Sequence, residues 1–273
     1  MERPTPRPIQ RLLVTNRGEI AARILSAARE LDIETFAVYT SDDLSHTVGA
    51  AHSIKLTSPA SYLNIEELVA VAKQHGIDAV HPGYGFLSES ADFASRMWEA
   101  GIAVVGPGWD ILERTGDKLK AKLLADECGV PTLPALKEPT SNVADLKTFA
   151  ASAGYPIMIK AVDGGGGRGI RLVRSESQLE SHARLAIAES PSRKVFAEKA
   201  AVDGFLHVEV QIIGDGSGDV QHLWERQCSI QRRYQKVVEI APALTSKRTF
   251  VAKIIEAAVR MARQVRSFFP LMQ

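Results

Sequence analysis

Four consecutive glycines, Gly164 to Gly167, sit between two apolar runs and constrain this chain more than any other stretch. Upstream, Pro156-Ile157-Met158-Ile159 ends on Lys160; downstream, Arg168-Gly169 leads into Ile170-Arg171-Leu172-Val173. Two short strands around a glycine loop predict a hairpin. Glycine loses more backbone entropy on ordering than any other residue, so four in a row are poor packing material. They do present bare N–H groups to an anion and let a loop close over it. The spacing is not that of a Walker P-loop, and no helix follows the glycines directly. Two readings stand: a flap over a polyphosphate with Lys160 as a point charge at its base, or a plain surface hairpin.

Before the hairpin, apolar runs alternate with helical periodicity. Arg11 to Thr15 reads as a strand, Ile20 to Leu31 as a helix, and Thr35 to Tyr39 as a second strand. Strands at 53–56, 77–80 and 102–105 alternate with helices at 65–74 and 91–100, which predicts a parallel, doubly wound sheet. Such a sheet binds ligands beyond the carboxyl ends of its strands. Two loops there are chemically unusual: Asn16-Arg17-Gly18-Glu19, and the run from His81 to Glu89. A dinucleotide fingerprint fails, because Gly18 stands alone where three glycines are needed.

Gly106-Pro107-Gly108 marks a boundary, and Thr115-Gly116-Asp117-Lys118 is expected to open a helix to about Glu127. After the hairpin, Ser175 and Gln178 fit a capping box starting a helix to about Ser190. Strands are expected at 196–200, 206–213 and 220–225. Period two along Leu206 to Ile212 puts His207, Glu209 and Gln211 on one face, either solvated or the floor of a polar site. Arg232, Arg233 and Lys236 follow within five positions, as a solvated face or as an anion site.

Composition narrows the class. The 273 residues are 45% hydrophobic with a net charge of +1, long enough for about two domains, and no basic cluster interleaves with aromatics as in a nucleic-acid groove. A small anionic substrate is expected, with neither nucleic acid nor membrane as partner. Cys128 and Cys228 are too few for a metal cluster and read as buried thiols. Residues 1–10, with prolines at 4, 6 and 8, are expected to be disordered and resemble no secretory signal, so a cytoplasmic protein is the default, with a mitochondrial one left open.

Taken in order, the segments Val14-Thr15-Asn16-Arg17-Gly18-Glu19-Ile20-Ala21, HPGYGFLSE at 81–89, Gly116-Asp117-Lys118, Lys160-Ala161 with GGGGRG, Glu225-Arg226 with CSIQRR, and Gln235 to Glu239 resemble the biotin carboxylase component of biotin-dependent carboxylases. The resemblance runs from about Leu12 to about Arg266, with a weaker likeness to the pyruvate carboxylase branch in Ile240-Ala241-Pro242-Ala243. It implies an α/β fold: a Rossmann-like pre-ATP-grasp domain at 11–112, then an ATP-grasp domain at 113–273 whose glycine-rich flap subdomain spans about 131–205. It also implies ATP- and bicarbonate-dependent carboxylation of biotin through carboxyphosphate, with Mg2+, a biotin carrier domain and a carboxyltransferase as partners, and a homodimer.

By position, the resemblance assigns Lys118 and Lys160 to phosphates, Gly166 and Gly167 to their cover, and Glu198, Lys199 and Ala201 to the adenine pocket. His207, Gln231 and Tyr234 would lie beside the nucleotide and Lys236 would hold bicarbonate. Tyr234 stands where the family usually has His, which implies altered ATP binding. The family's acidic metal ligands belong to a strand pair following the helix that ends near Arg266, so the ATP-grasp domain is expected to be incomplete here, with the activity of the chain alone left open. The alternatives are a non-catalytic nucleotide-binding or dimerisation module, and another ATP-grasp ligase.

Overall fold

The computed structural model describes residues 8–116, 118–163, 169–214, 219–232, 235–245 and 247–265. Backbone contacts divide the chain into two units: residues 1–121 with 212–221 and 262–273, and residues 122–211 with 222–261.

The first unit alternates strand and helix. Strand β1 (Arg11–Val14) leads through α1 (Gly18–Glu30) to β2 (Glu34–Tyr39) and β3 (His52–Lys55). Then come α2 (Ile65–Gln74), β4 (Ala79–His81), α3 (Ala91–Glu99), β5 (Ala103–Val104) and α4 (Trp109–Gly116). The strands form one sheet in the order β3-β2-β1-β4-β5, and all four pairings are parallel. Successive residues of β1 feed opposite faces. Leu13 joins Phe36, Val38, Val80, Phe93 and Met97 in one core, while Leu12 and Val14 join Ala21, Leu25, Ala28 and Ala37 in the other. Burial on both faces is why these strands read as continuous apolar runs. Asn64 caps α2 by accepting from the Glu67 amide, and Ser90 caps α3 by accepting from that of Phe93. Residue 10, assigned from sequence to the stretch before the domain, is tied in: its amide donates to Asp78 at 3.1 Å and its carbonyl accepts from Glu34 at 2.9 Å.

The doubly wound parallel sheet expected from the alternation is present. One helix differs. Thr115 and Gly116 close α4 instead of opening the next helix, α5 (Lys118–Glu127). Ile111 and Leu112 are the buried pair of α4, too short an apolar signal to stand out from Gly106-Pro107-Gly108.

The second unit begins within α5 and holds one antiparallel array and, apart from residues 212–221, a second. Helix α6 (Val143–Ala153), strands β6 (Ile157–Ala161) and β7 (Ile170–Val173), helix α7 (Glu176–Glu189) and β8 (Val195–Lys199) build a sheet of order β7-β6-β8. Strands β6 and β7 form the expected hairpin, in register from Ile157–Val173 to Lys160–Ile170. Gly169 at its base has φ +70°, and a Cβ there would lie 2.5 Å from the Cβ of Ala161. Ile157, Ile159, Val173, Val195 and Ala197 bury one sheet face against Leu146, Phe149 and Leu179 of α6 and α7.

The capping box at the start of α7 does not form. Ser175 Oγ meets Ser177 Oγ at 2.9 Å, and Gln178 Oε1 accepts from the Arg174 amide, one residue before the cap.

Strands β9 (Val208–Gly214), β10 (Val220–Arg232) and β11 (Gln235–Ile240) form the second array in the order β11-β10-β9, followed by α8 (Arg248–Val265). Strand β10 runs seven residues beyond its expected end at 225. Its pairing with β11 shifts register between Gln227 and Ile230 and again before Gln231, and Trp224 has φ +64°. Those irregularities break the period-two signal by which a strand is read from sequence. The two cysteines are free; Cys228 is buried and Cys128 half-buried.

Candidate functional site

Both unusual loops of the first unit lie where its strand order reverses, after β1 and after β4. There the structure joins them. Asn16 is buried; its Nδ2 donates to the carbonyls of Pro82 at 2.7 Å and Tyr84 at 2.8 Å, and its Oδ1 accepts from the Arg17 amide at 2.8 Å. Gly83 has φ +65°, and a Cβ there would stand 2.8 Å from Asn16 Nδ2. Tyr84 donates through its hydroxyl to Glu19 at 2.6 Å. The Arg17 guanidinium pairs with Asp43 at 3.1 Å and lies 5.7 Å from the Phe86 ring, which stacks on Tyr62. Burial holds His81 down to about 4, so it is neutral near pH 7. Its Nδ1 accepts from the Gly83 amide at 3.0 Å, which puts the proton on Nε2.

In the second unit the strand register sorts the expected site residues. Met158, Lys160, Ile170, Leu172, Phe196 and Glu198 share the face of the β7-β6-β8 sheet turned away from α6 and α7. Lys160 donates to Glu198 Oε1 and lies 5.8 Å from the Phe196 ring centre. Lys122 of α5 pairs with the other oxygen, Oε2, at 3.0 Å. Burial alone would raise the Glu198 pKa, but the two ammonium groups outweigh it and hold the carboxylate below its ordinary range. Lys199 alternates to the opposite face, where Nζ donates to the carbonyls of Gly154 at 3.1 Å and Tyr155 at 2.8 Å at the end of α6. Ala201 is exposed just past β8.

Strands β10 and β11 carry Gln231 and Lys236, and His207 lies just before β9. Gln231 Nε2 lies 2.8 Å from His207 Nδ1 and donates to the Cys228 carbonyl at 2.9 Å. Lys236 pairs with Glu209, which also meets His207 at 3.3 Å and Arg226 at 2.7 Å; Arg226 reaches on to Glu239 at 3.1 Å. Burial would raise the Glu209 carboxyl, but Lys236 first, then Arg226 and His207, hold it lower than usual. His207, Glu209 and Lys236 therefore meet in one polar cluster, in which His207 and Lys236 remain exposed to solvent. Next to Arg226 along β10, Glu225 is buried, accepting from Arg248 Nη1 at 2.6 Å and the Ala243 amide at 3.2 Å.

Lys118 opens α5, but its side chain lies outside the described residues, as do Gly166, Gly167 and Tyr234. Among the described residues no group of three or more His, Cys, Asp or Glu side chains converges as a metal site. Sequence reasoning missed Lys122 and Arg226. Lys122 follows Lys118 at the i, i+4 helical spacing, a signal that was available. Arg226 stands out in the sequence only as part of the Glu225-Arg226 motif.

A parallel doubly wound sheet followed by antiparallel sheets carrying paired lysines and carboxylates defines an α/β protein of the ATP-grasp type. Residues 8–112 match the family model of the biotin carboxylase N-terminal domain, and residues 117–268 that of the carbamoyl-phosphate synthase L chain ATP-binding domain. The pyruvate carboxylase of Staphylococcus aureus is 46% identical over 268 residues, covering 94% of this chain and 23% of the relative. The mitochondrial pyruvate carboxylase of Mus musculus is 42% identical over 273 residues, covering 95% and 23%. The biotin carboxylase domain dimer of Hydrogenobacter thermophilus 2-oxoglutarate carboxylase, solved with MgADP, ADP and bicarbonate, superposes with a TM-score of 0.91 at 38% identity, covering 96% of this chain and 59% of that one. Biotin carboxylase from Campylobacter jejuni, in complex with a β,γ-ATP ligand, gives 0.89 at 36%, covering 95% and 60%. The chain belongs to the biotin carboxylase family. It spans about a quarter of the length of the pyruvate carboxylases it matches.

Proposed function

We propose that this chain supplies the nucleotide-binding part of a biotin carboxylase, in which ATP phosphorylates bicarbonate and the resulting carboxyphosphate delivers carbon dioxide to the ureido nitrogen of biotin. The observation that carries the reading is the shared face of β6, β7 and β8. Ile170 and Leu172, both partly exposed, with the buried Met158 and Phe196 on the same face, supply apolar contact for a purine beside the Lys160 ammonium, a charge for a polyphosphate.

In this reading Glu198, Lys199 and Ala201 line the adenine pocket, largely through their backbone, because the Lys199 ammonium is engaged at the end of α6. Lys118 and Lys160 neutralise phosphate charge, and the N–H groups of Gly166 and Gly167 cover it. Fixed cations and N–H donors in a water-poor site suit a reaction whose intermediate is easily lost to water. His207, Gln231 and Tyr234 flank the nucleotide. Lys236 takes bicarbonate in exchange for Glu209, and Arg226 keeps Glu209 compensated when it does so. Among the described residues no three His, Cys, Asp or Glu side chains converge to hold a metal such as Mg2+.

The domain division proposed is a Rossmann-like domain at 11–112 and an ATP-grasp domain at 113–273 with its flap at about 131–205; the limits of the two family matches support it. The proposed partners are a biotin carrier domain, a carboxyltransferase and a second copy of the chain. The dimer of the Hydrogenobacter domain and the multidomain relatives support this set. The proposed compartment is the cytoplasm, or the mitochondrion as for the mouse relative. Among the described residues no helix is long and apolar enough to cross a membrane.

Incubation with ATP, labelled bicarbonate and free biotin tests the activity. Label appearing on biotin, with ADP formed only when bicarbonate is present, is the expected result. ATP bound without any label transfer would make the chain a nucleotide-binding module and overturn the catalytic half of the proposal.

A further inference from the structure

We propose that Lys122 is a positioning residue for nucleotide binding: it holds Glu198 compensated so that Lys160 can leave this carboxylate for a polyphosphate. The inference rests on the assignment of Lys160 to phosphate. The geometry behind it is a carboxylate with one cation on each oxygen, Lys160 on Oε1 and Lys122 on Oε2 at 3.0 Å. All three side chains are at least three-quarters withdrawn from solvent. Among the described residues these two lysines are the cations paired with Glu198.

Consider what a phosphate must do to recruit Lys160. It competes with a carboxylate already bonded to that ammonium. If Lys160 were the sole partner of Glu198, its departure would leave a largely buried charge uncompensated, and that cost would be charged against ATP affinity. Lys122 removes most of that cost, because the second oxygen keeps its cation throughout.

Lys122 is also placed so that it does not follow Lys160 out. Its Nζ donates to the Leu133 carbonyl at 3.1 Å, and the segment that follows Leu133 is laced to β8. Lys199 donates its amide to Pro134 at 2.8 Å, Ala135 bridges Glu198, and Leu136 donates to Ala197 at 2.8 Å. Lys122, the Leu133 carbonyl and the Glu198 carboxylate are thus joined by bonds that do not involve the Lys160 ammonium, which a phosphate can recruit by side-chain rotation alone.

A merely structural lysine would affect all ligands alike; this role is selective for phosphate. Binding of ATP and of adenosine is measured by titration calorimetry for the wild-type chain, Lys122→Met, Lys122→Arg and Lys122→Met/Glu198→Gln. Lys122→Met is expected to weaken ATP about tenfold, the loss of roughly one discounted ion pair, while adenosine changes less than about twofold. Lys122→Arg restores most of the ATP affinity, and adding Glu198→Gln restores part of it, because a neutral amide needs no counterion. Equal weakening of ATP and adenosine, or no change in either, overturns the inference while leaving Lys160 as the phosphate ligand. Failure of the wild-type chain to bind ATP overturns both.

A nucleotide-free measurement keeps the two claims separable. If the lysines back each other up, the thermal midpoint of Lys122→Met/Lys160→Met falls by more than the sum of the two single shifts. The excess disappears when Glu198→Gln is added. Strictly additive shifts contradict the backup role whatever the ATP result.

Discussion

The side-chain amide of Asn16 donates to the carbonyl of Pro82 at 2.7 Å, joining the loop after β1 to the loop after β4 where the strand order of the first unit reverses. A second bond from the same nitrogen reaches Tyr84, and Gly83 between them leaves the space the amide occupies. The arrangement needs a donor at this atom. Asn16→Asp keeps the shape but turns an acceptor toward two carbonyl oxygens, so it should destabilise more than Asn16→Ala does. About 3 kcal/mol against about 2 kcal/mol in urea denaturation is expected. The reverse order would show that the amide does not hold these loops.

Burial of neutral His81 gives the first unit a defined acid sensitivity. Its folded pKa of about 4 lies below the unfolded value of about 6.5, so between these limits the unfolded chain binds the extra proton. Stability from this group is therefore complete above pH 6.5 and drains away as the pH falls towards 4, by up to about 3 kcal/mol. Denaturation curves across that interval should lose most of this slope in His81→Asn, whose amide oxygen can replace Nδ1 as acceptor for Gly83. An unchanged slope would place the titration elsewhere.

Arg248, at the start of α8, holds the buried Glu225 carboxylate of β10 below its usual pKa range, chiefly through their direct bond. With the folded pKa depressed, this stabilisation is present above the unfolded value and is lost as the pH falls through the folded one. Arg248→Ala should lower stability by about 1–2 kcal/mol at pH 7, a figure discounted because the guanidinium is half exposed. Arg248→Ala/Glu225→Gln should recover part of the loss. No recovery would mean that Arg248 acts through packing alone.

How far the sequence discloses all this depends on where the physics is local. The parallel sheet was legible because Leu12, Leu13 and Val14 are buried on both faces and leave an unbroken apolar run. The β6–β7 hairpin was legible because its glycines have no better use. Strand β10 was only half legible, since Glu225 and Cys228 face inward three residues apart across shifted register. Helix α6 passed unread: Leu146, Phe149 and Ala150 are its buried residues, a stripe too small to outweigh the polar turn before it. The pairing of Lys122 with Glu198 joins residues far apart in the chain, and no single-sequence pattern encodes that distance. Yet the helical spacing that sets Lys122 one turn after Lys118 was in plain view.

The measurement that bears most directly on the account is ATP binding by isothermal titration, comparing the wild-type chain with Lys160→Ala. The account predicts a binding heat in the wild type that is lost or weakened at least about tenfold in the variant, as expected when a phosphate loses its fixed cation. Equal ATP affinity in the two proteins, or no binding in either, would contradict the assignment of the β6–β8 face to a nucleotide.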